Sequence, residues 1–409
     1  MYYCLIFVLR KSYIGFMDAF FRTHNFLVEH LNYPVERLLM KEIDWSHRLI
    51  GIKGSRGVGK TTFLLAYARK FYPNADRSCL YVNLNNFYFT TCSLVDFADE
   101  FSKRGGKVLL IDQINKYHNW SHDLREIYDT VPDLRIVFAG SSIIRLKEEN
   151  PKLDGLAHSY NLRGFSFREF LNHETDSNFK AFTFEEIMEN HQEIASSIIT
   201  KIRPLAYFQD YVHHGFYPFY LEKNNYSEAL LKMINLILEI DVTNLRQIEL
   251  KYLPKLRKLL YLLSQKVPTP LNVSRLSEQI EMSRATVMNY IKYLKDARLF
   301  NFLYAEGESF PKKPNKVYFG NTNLVFALDR NFSDQQALCE TFFYSMVHKD
   351  NRLNSTSGKG TFLVNGDYLF DIKNDIKKVK NNRNMYYAVD MVEKGDDNVI
   401  PLWLFGFLY

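Results

Sequence analysis

The stretch Gly51-Ile52-Lys53-Gly54-Ser55-Arg56-Gly57-Val58-Gly59-Lys60-Thr61-Thr62 leaves few folds open to this chain. Gly54, Gly59, Lys60 and Thr61 fit the pattern G-x-x-x-x-G-K-[ST] without a mismatch. An apolar run, Leu49 to Ile52, precedes it, and a helix-forming run, Thr62 to Lys70, follows. Strand, glycine loop and helix is the order in which such a loop cradles phosphate. Gly54, Gly57 and Gly59 let the backbone curl so that its N–H groups point inward, and the helix N-terminus adds its positive end. Ser55, Arg56, Val58 and Thr62 complete the residues expected around a bound nucleotide. Lys60 is expected to reach the β- and γ-phosphates and Thr61 to hold Mg²⁺, so ATP and Mg²⁺ are the expected cofactors.

A phosphate loop needs an acidic partner. Val108-Leu109-Leu110-Ile111-Asp112 is an apolar strand ending in an acid, the pattern of a Walker B strand. Asp112 would hold Mg²⁺ through water beside Thr61; a helix cap at the strand end is the plainer reading. The next residue, Gln113, stands where ATPases of this additional-strand class carry a glutamate that polarises the attacking water. An amide can orient water but cannot take its proton. Binding with slowed hydrolysis is therefore expected. Phe138-Ala139-Gly140-Ser141-Ser142 ends another strand, and Ser141 or Ser142 could sense the γ-phosphate or cap a following helix.

Strands are expected at 48–52, 79–83, 108–112 and 135–139, with helices at 60–71, 94–102 and 119–130 between them. That alternation argues for a parallel sheet covered on both faces. Residues 17–48 read as mostly helical, 165–250 as helical, and 315–409 as mixed strand and helix.

The net charge of +6 is uneven. Residues 251–303 carry ten Lys or Arg against three Asp or Glu, a local +7 that leaves the remainder near −1. Such an excess points to one anionic partner surface. Within it, Leu276, Ile280, Val287, Ile291 and Leu294 fall at helical spacing on two helices separated by a turn at 281–283, with Ser283 a natural N-cap. This is a helix-turn-helix pattern, and Leu299 to Tyr304 suits the wing of a winged helix. The second helix is expected to offer Arg284, Thr286, Asn289 and Tyr290 to DNA bases, with Lys292 or Lys295 on phosphate. A packing module with solvated lysines is the alternative.

Composition excludes other classes. Cys4, Cys79, Cys92 and Cys339 have neither zinc nor disulfide spacing and suit a reducing compartment. No apolar stretch approaches the ~20 residues of a membrane span. The first 16 residues lack the charge order and cleavage site of a signal peptide and read as a possible over-called extension before Met17. A cytoplasmic protein without a membrane partner is expected.

The segments LIGIKGSRGVGKTTFLL, LLIDQINKYHNWSHDLREIYD, PDLRIVFAGSS and NLRGFSFREFL, with the ending IPLWLFGFLY, resemble the prokaryotic AAA+ ATPases of the AAA_14 type. The resemblance runs from about residue 17 to 409. It implies a C-terminal domain with a restriction-endonuclease-like fold. It also marks two departures: Asp112-Gln113 replaces Asp-Glu, and Gly155 and Leu156 stand where the family carries a pair of arginines that stabilise charge on the γ-phosphate. Arg145 and Arg163 lie close enough in sequence to substitute. In the tail, Asp371-Ile372-Lys373 keeps an acid and a lysine of a nuclease pattern, but Thr361 occupies the register position of the earlier acid. Asp367 lies in an expected hairpin turn, and Glu340 is a further candidate acid. A fold-retaining, non-catalytic tail is expected.

The expected fold is α/β: a P-loop NTPase (AAA+-like) parallel sheet with a helical lid, a winged helix and a C-terminal α+β nuclease-like domain. The expected boundaries are 17–164, 165–250, 251–306 and 307–409. The expected function is ATP and Mg²⁺ binding with weak or absent hydrolysis, coupled to DNA, a protein partner or a second copy. A DNA-stimulated ATPase and a DNA-binding regulator that uses ATP structurally are the alternatives.

Overall fold

The computed structural model describes residues 2–73, 77–141, 151–222, 225–243, 246–329, 331–380 and 382–409, with side chains described from residue 15 onward and not at 151. The described chain divides into two units, residues 1–163 and 164–409.

The first unit is a five-stranded parallel sheet in the order β2-β3-β4-β1-β5. Its strands are β1 (Leu49–Gly54), β2 (Cys79–Asn83), β3 (Val108–Asp112), β4 (Arg135–Ser141) and β5 (His158–Asn161). All but β5 are apolar and nearly wholly buried, the mark of strands covered on both faces. β4 lies between β1 and β3, so an additional strand separates the two phosphate-site strands. β5 is absent from the sequence reading, because its pattern His-Ser-Tyr-Asn is polar and largely exposed, as an edge strand allows.

Among the described residues this unit has five α-helices: α1 (Tyr2–Glu29), α2 (Leu39–Glu42), α3 (Lys60–Phe71), α4 (Leu94–Lys103) and α5 (Trp120–Thr130). Met17, Phe20 and Phe21 of α1, Phe97 and Phe101 of α4, and Leu124 and Ile127 of α5 share one core with Leu80, Leu109, Ile136 and Phe138 of the sheet. The expectation of helix across 17–48 holds only for 17–29 and 39–42; the intervening residues 30–38, which include Pro34, are not helical.

The second unit begins with α6 (Phe167–Glu174), α7 (Phe184–Ile199), α8 (Leu205–Asp210) and α9 (Tyr226–Leu236). Capping boxes, Ser166 with Glu169 and Thr183 with Glu186, start α6 and α7. Then follow α10 (Leu253–Ser264), α11 (Val273–Ile280), α12 (Arg284–Asp296) and an antiparallel ribbon, β6 (Phe300–Leu303) with β7 (Lys316–Phe319). α13 (Thr322–Leu328) carries Asn323, fully buried, whose amide donates to the carbonyls of Tyr211 and Val212 and accepts from the Phe216 N–H. Helices of the 165–250 stretch thus share interior contacts with the 307–409 stretch.

α14 (Gln335–Val347) packs on a mixed sheet of β8 (Leu353–Asn354), β9 (Phe362–Val364), β10 (Tyr368–Lys373), β11 (Tyr386–Val389) and β12 (Val399–Pro401). The order is β12-β11-β10-β9-β8, parallel from β10 to β12 and antiparallel from β8 to β10. The apolar ending, Leu402 to Tyr409, is wholly buried.

Candidate nucleotide and metal site

The glycine loop joins β1 to α3 at the carboxyl ends of the strands, where ligands of open α/β sheets bind. Gly57 and Gly59 have φ of +84° and +88°, the left-handed region that a side chain resists. Gly54 works differently from the curl expected of it. A Cβ there would come within 2.5 Å of the Leu162 carbonyl oxygen and 2.9 Å of Val58 Cγ2, so its role is close approach.

Lys60 opens α3 and rests its ammonium on the carbonyl oxygens of Gly54 and Ser55, each at 2.8 Å. Thr61 Oγ1 donates to Asp112 Oδ2 at 2.5 Å, joining the loop to the end of β3. Asp112 is 2% exposed. Its other oxygen, Oδ1, accepts the backbone N–H of Gln113 at 2.8 Å. Gln113 itself sits at φ +55°, an unusual conformation for a residue that is neither Gly nor Asn and one that clusters at functional sites. Ser141 is buried, and its register partner on β1 is Gly54, so it stands beside the start of the loop. Ser142 and Arg145 lie outside the described residues.

Three residues that the sequence reading did not single out brace this site. Arg37 is 4% exposed and donates to the carbonyl oxygens of Val58 at 3.1 Å and Arg163 at 2.5 Å, tying the loop to the exit of β5. Tyr81, on β2, donates its hydroxyl to Asp112 Oδ2 at 2.9 Å. His24, on α1, accepts the Tyr81 backbone N–H at its Nδ1 at 3.0 Å. Burial pushes the His24 imidazole down to about 4, so it stays neutral at physiological pH. Burial, reinforced by the Asp112 carboxylate, holds the Tyr81 hydroxyl firmly protonated. The local hint for Tyr81 is an aromatic between Leu80 and Val82 on a buried strand.

The donor set fits Mg²⁺ with a nucleotide. A threonine hydroxyl and a carboxylate are hard oxygen ligands, and Mg²⁺ is ordinarily held by one or two carboxylates with substrate phosphates supplying the rest. The described residues hold no cluster of three or more His, Cys, Asp or Glu able to take a metal unaided. The loop would present Gly54 to Thr61 to the phosphates, with Lys60 reaching them and Thr61 and Asp112 flanking the metal.

Neither of the two positions where the resembled family carries arginines has a guanidinium here. Gly155 adopts φ +75°, where a side chain is strained, and Leu156 is partly buried, packed against the core of the first unit.

The basic helix pair is built as its pattern implies in part. α11 and α12 pack together, Glu281 turns at φ +55°, and the Ser283 side chain caps α12 by accepting from Thr286 N–H. Arg284 and Asn289 are exposed. Tyr290 corrects the expectation: it is 6% exposed, because it shares the buried stripe of Val287, Ile291 and Leu294. The Thr286 hydroxyl is engaged with Ser283 Oγ, and the Lys292 ammonium lies over the Phe310 ring at 4.5 Å.

In the tail, Lys373 Nζ pairs with Asp371 Oδ2 at 2.9 Å and Thr361 Oγ1 donates to Asp371 Oδ1 at 3.2 Å. Glu340 accepts from Tyr318 and Gln336. Cys79, Cys92 and Cys339 are buried free thiols, and among the described residues no helix is long and apolar enough to cross a membrane.

Residues 46–171 match the family AAA_14, described as an AAA domain, and residues 205–335 match a domain of unknown function, DUF8612. The first unit therefore carries an AAA-type, ATPase-like P-loop domain of the nucleotide-binding class. The DUF8612 match crosses the expected boundaries at 250 and 306. An uncharacterized protein of Methanocaldococcus jannaschii is 28% identical over 284 residues, 66% of this chain but only 59% of that relative's length. PCH-2 of C. elegans aligns over 38% of this chain and 43% of its own at 16% identity and TM-score 0.23. A RuvB variant of Thermotoga maritima aligns over 70% of this chain and 89% of its own at 11% identity and TM-score 0.26. Similarity this low has no bearing on function.

Proposed function

We propose that this protein binds ATP with Mg²⁺ and turns it over slowly or not at all, using the bound nucleotide to hold a conformation that engages DNA through α12. The observation that carries the reading is the Thr61–Asp112 contact at 2.5 Å beside a lysine held on loop carbonyls. In this reading the carboxylate serves the cation and the ammonium serves the phosphates.

Slow turnover follows from two positions. Gln113 can orient a water but cannot remove its proton, and general-base help is commonly worth ~10²–10⁴-fold. Gly155 and Leu156 supply no guanidinium, and an arginine at the γ-phosphate can be worth ~10³–10⁵-fold. Calorimetry with MgATP on the full chain tests binding; no detectable heat of binding would sink the proposal. Phosphate release tests turnover. A Gln113→Glu protein should hydrolyse faster by at least about tenfold, and unchanged turnover would clear Gln113 of blame.

DNA engagement rests on the local +7 charge and on exposed Arg284 and Asn289. Affinity for duplex DNA should fall as salt rises. Arg284→Ala and Asn289→Ala should weaken it in fluorescence anisotropy, whereas salt-insensitive association would refute the DNA arm. A Lys60→Ala protein that still binds DNA normally would instead favour a regulator that uses ATP only structurally.

One observation favours a second reading, an active DNA-stimulated ATPase. Leu162 N–H donates to the Lys53 carbonyl at 2.7 Å, and the Arg163 carbonyl is tied to Arg37, so Arg163 follows directly on a residue packed against the loop. Stimulation of turnover by DNA, lost in Arg163→Ala, would support it. The C-terminal sheet we read as non-catalytic, since Lys373 neutralises Asp371 and Thr361 offers no charge.

A further inference from the structure

We infer that Tyr81 is a positioning residue for the metal-holding carboxylate Asp112, and that His24 of α1 locks Tyr81 in place; the inference rests on the ATP–Mg²⁺ reading above. Asp112 receives three donors. Gln113 N–H holds Oδ1 from within the turn, while Thr61 and Tyr81 both hold Oδ2. A hydroxyl that donates to the carboxylate keeps its lone pairs for a cation. Thr61 can therefore bind metal only while Asp112 keeps this orientation. Tyr81 supplies a second donor on Oδ2 and so holds the carboxylate in the orientation that Thr61 needs. Hydrogen bonds to a charged acceptor are roughly twice as strong as neutral ones, so this restraint is substantial.

Tyr81 is itself held. Among the described residues β2 is an edge strand, paired only with β3, and the outward backbone N–H of an edge strand has no partner within the sheet. His24 Nδ1 takes that N–H. His24 is 3% exposed and lies on the same helix as Met17, Phe20 and Phe21, which anchor α1 in the core. A chain of contacts thus runs from α1 through His24 and the Tyr81 backbone, then along the Tyr81 ring to Asp112.

A buried tyrosine would need a hydrogen-bond partner whatever the site does, so the test must separate positioning from packing. The affinity of the full chain for ADP is measured by calorimetry with Mg²⁺ and with EDTA, and the ratio of the two gives the metal-linked gain. Tyr81→Phe should reduce that gain by about three- to tenfold while leaving the EDTA affinity within about twofold. An unchanged or larger gain would overturn the inference, as would equal losses with and without metal, which mark a packing role. His24→Leu should reduce the gain about two- to fivefold, and His24→Gln, which restores an acceptor, should recover it. Failure of Gln to rescue would remove His24 from the inference, and these two variants carry the test if Tyr81→Phe does not fold. Wild-type protein that binds no ADP under either condition would instead be a failure of the nucleotide reading itself.

Discussion

Among the described residues, two threonine–aspartate pairs have a lysine nearby, and they are arranged to opposite ends. In the first unit Thr61 donates to Asp112 at 2.5 Å, and Lys60 is held off the carboxylate by the carbonyls of Gly54 and Ser55. In the second unit Thr361 donates to Asp371 at 3.2 Å, and Lys373 sits directly on the carboxylate at 2.9 Å. The first lysine donates to loop carbonyls rather than to the acid. Two residues apart on one face of a strand, the second can hardly avoid doing so. Asp112 is buried and braced by Tyr81 and His24, whereas Asp371 and Lys373 are each about a fifth exposed at the side chain, at 22% and 23%. The same residue types thus make a cation site in one place and a closed ion pair in the other.

The largest effect expected from breaking this contrast is on acidification. His24 remains neutral in the fold down to about pH 4, while in the unfolded chain it takes up a proton near 6.5. Stability present above 6.5 is therefore lost as pH falls toward 4. The loss should be roughly 2–4 kcal/mol. Urea unfolding of wild type and His24→Gln across this range should give a visibly flatter profile in the variant.

Lys60→Ala should weaken MgATP binding by roughly 10–100-fold, since it removes charge-assisted hydrogen bonds to phosphate. Lys373→Ala should leave that affinity unchanged in the same calorimetric assay. Gly54→Ala should cost about 1–3 kcal/mol in thermal or urea unfolding, as its Cβ has no room against a backbone carbonyl. Lys373→Ala should cost at most about 1 kcal/mol, since its pair is partly solvated. Thr361→Asp should add the second carboxylate that the Asp371 site lacks. It should give weak Mn²⁺ binding by calorimetry, on the order of millimolar, where wild type gives none.

Much of the first unit was legible because its signals are local. β2, β3 and α3 fall where alternation and the glycine loop place them, and Thr61 and Asp112 meet as a loop hydroxyl and a strand-end acid should. Tyr290 shows the limit of reading residue type ahead of period. Its ring suits base contact, but its i+3 spacing from Val287 puts it in the buried stripe. Polar β5 gave no apolar signal at all. Leu156 was legible only as a missing arginine, not as a partly buried side chain packed against the core.

By itself, the sequence determined the phosphate loop, the acid at the end of β3 and the amide at Gln113, because glycine φ, helix starts and strand ends are encoded within a few neighbouring residues. Tertiary structure alone decided that Arg37 braces the loop, that Tyr81 and His24 hold Asp112, and that Lys373 closes on Asp371 while Lys60 stays clear of Asp112. Periodicity reports which face a residue takes but not what stands opposite it. Those choices depend on strand order and helix placement, which bring together His24, Tyr81 and Asp112 from three separate elements.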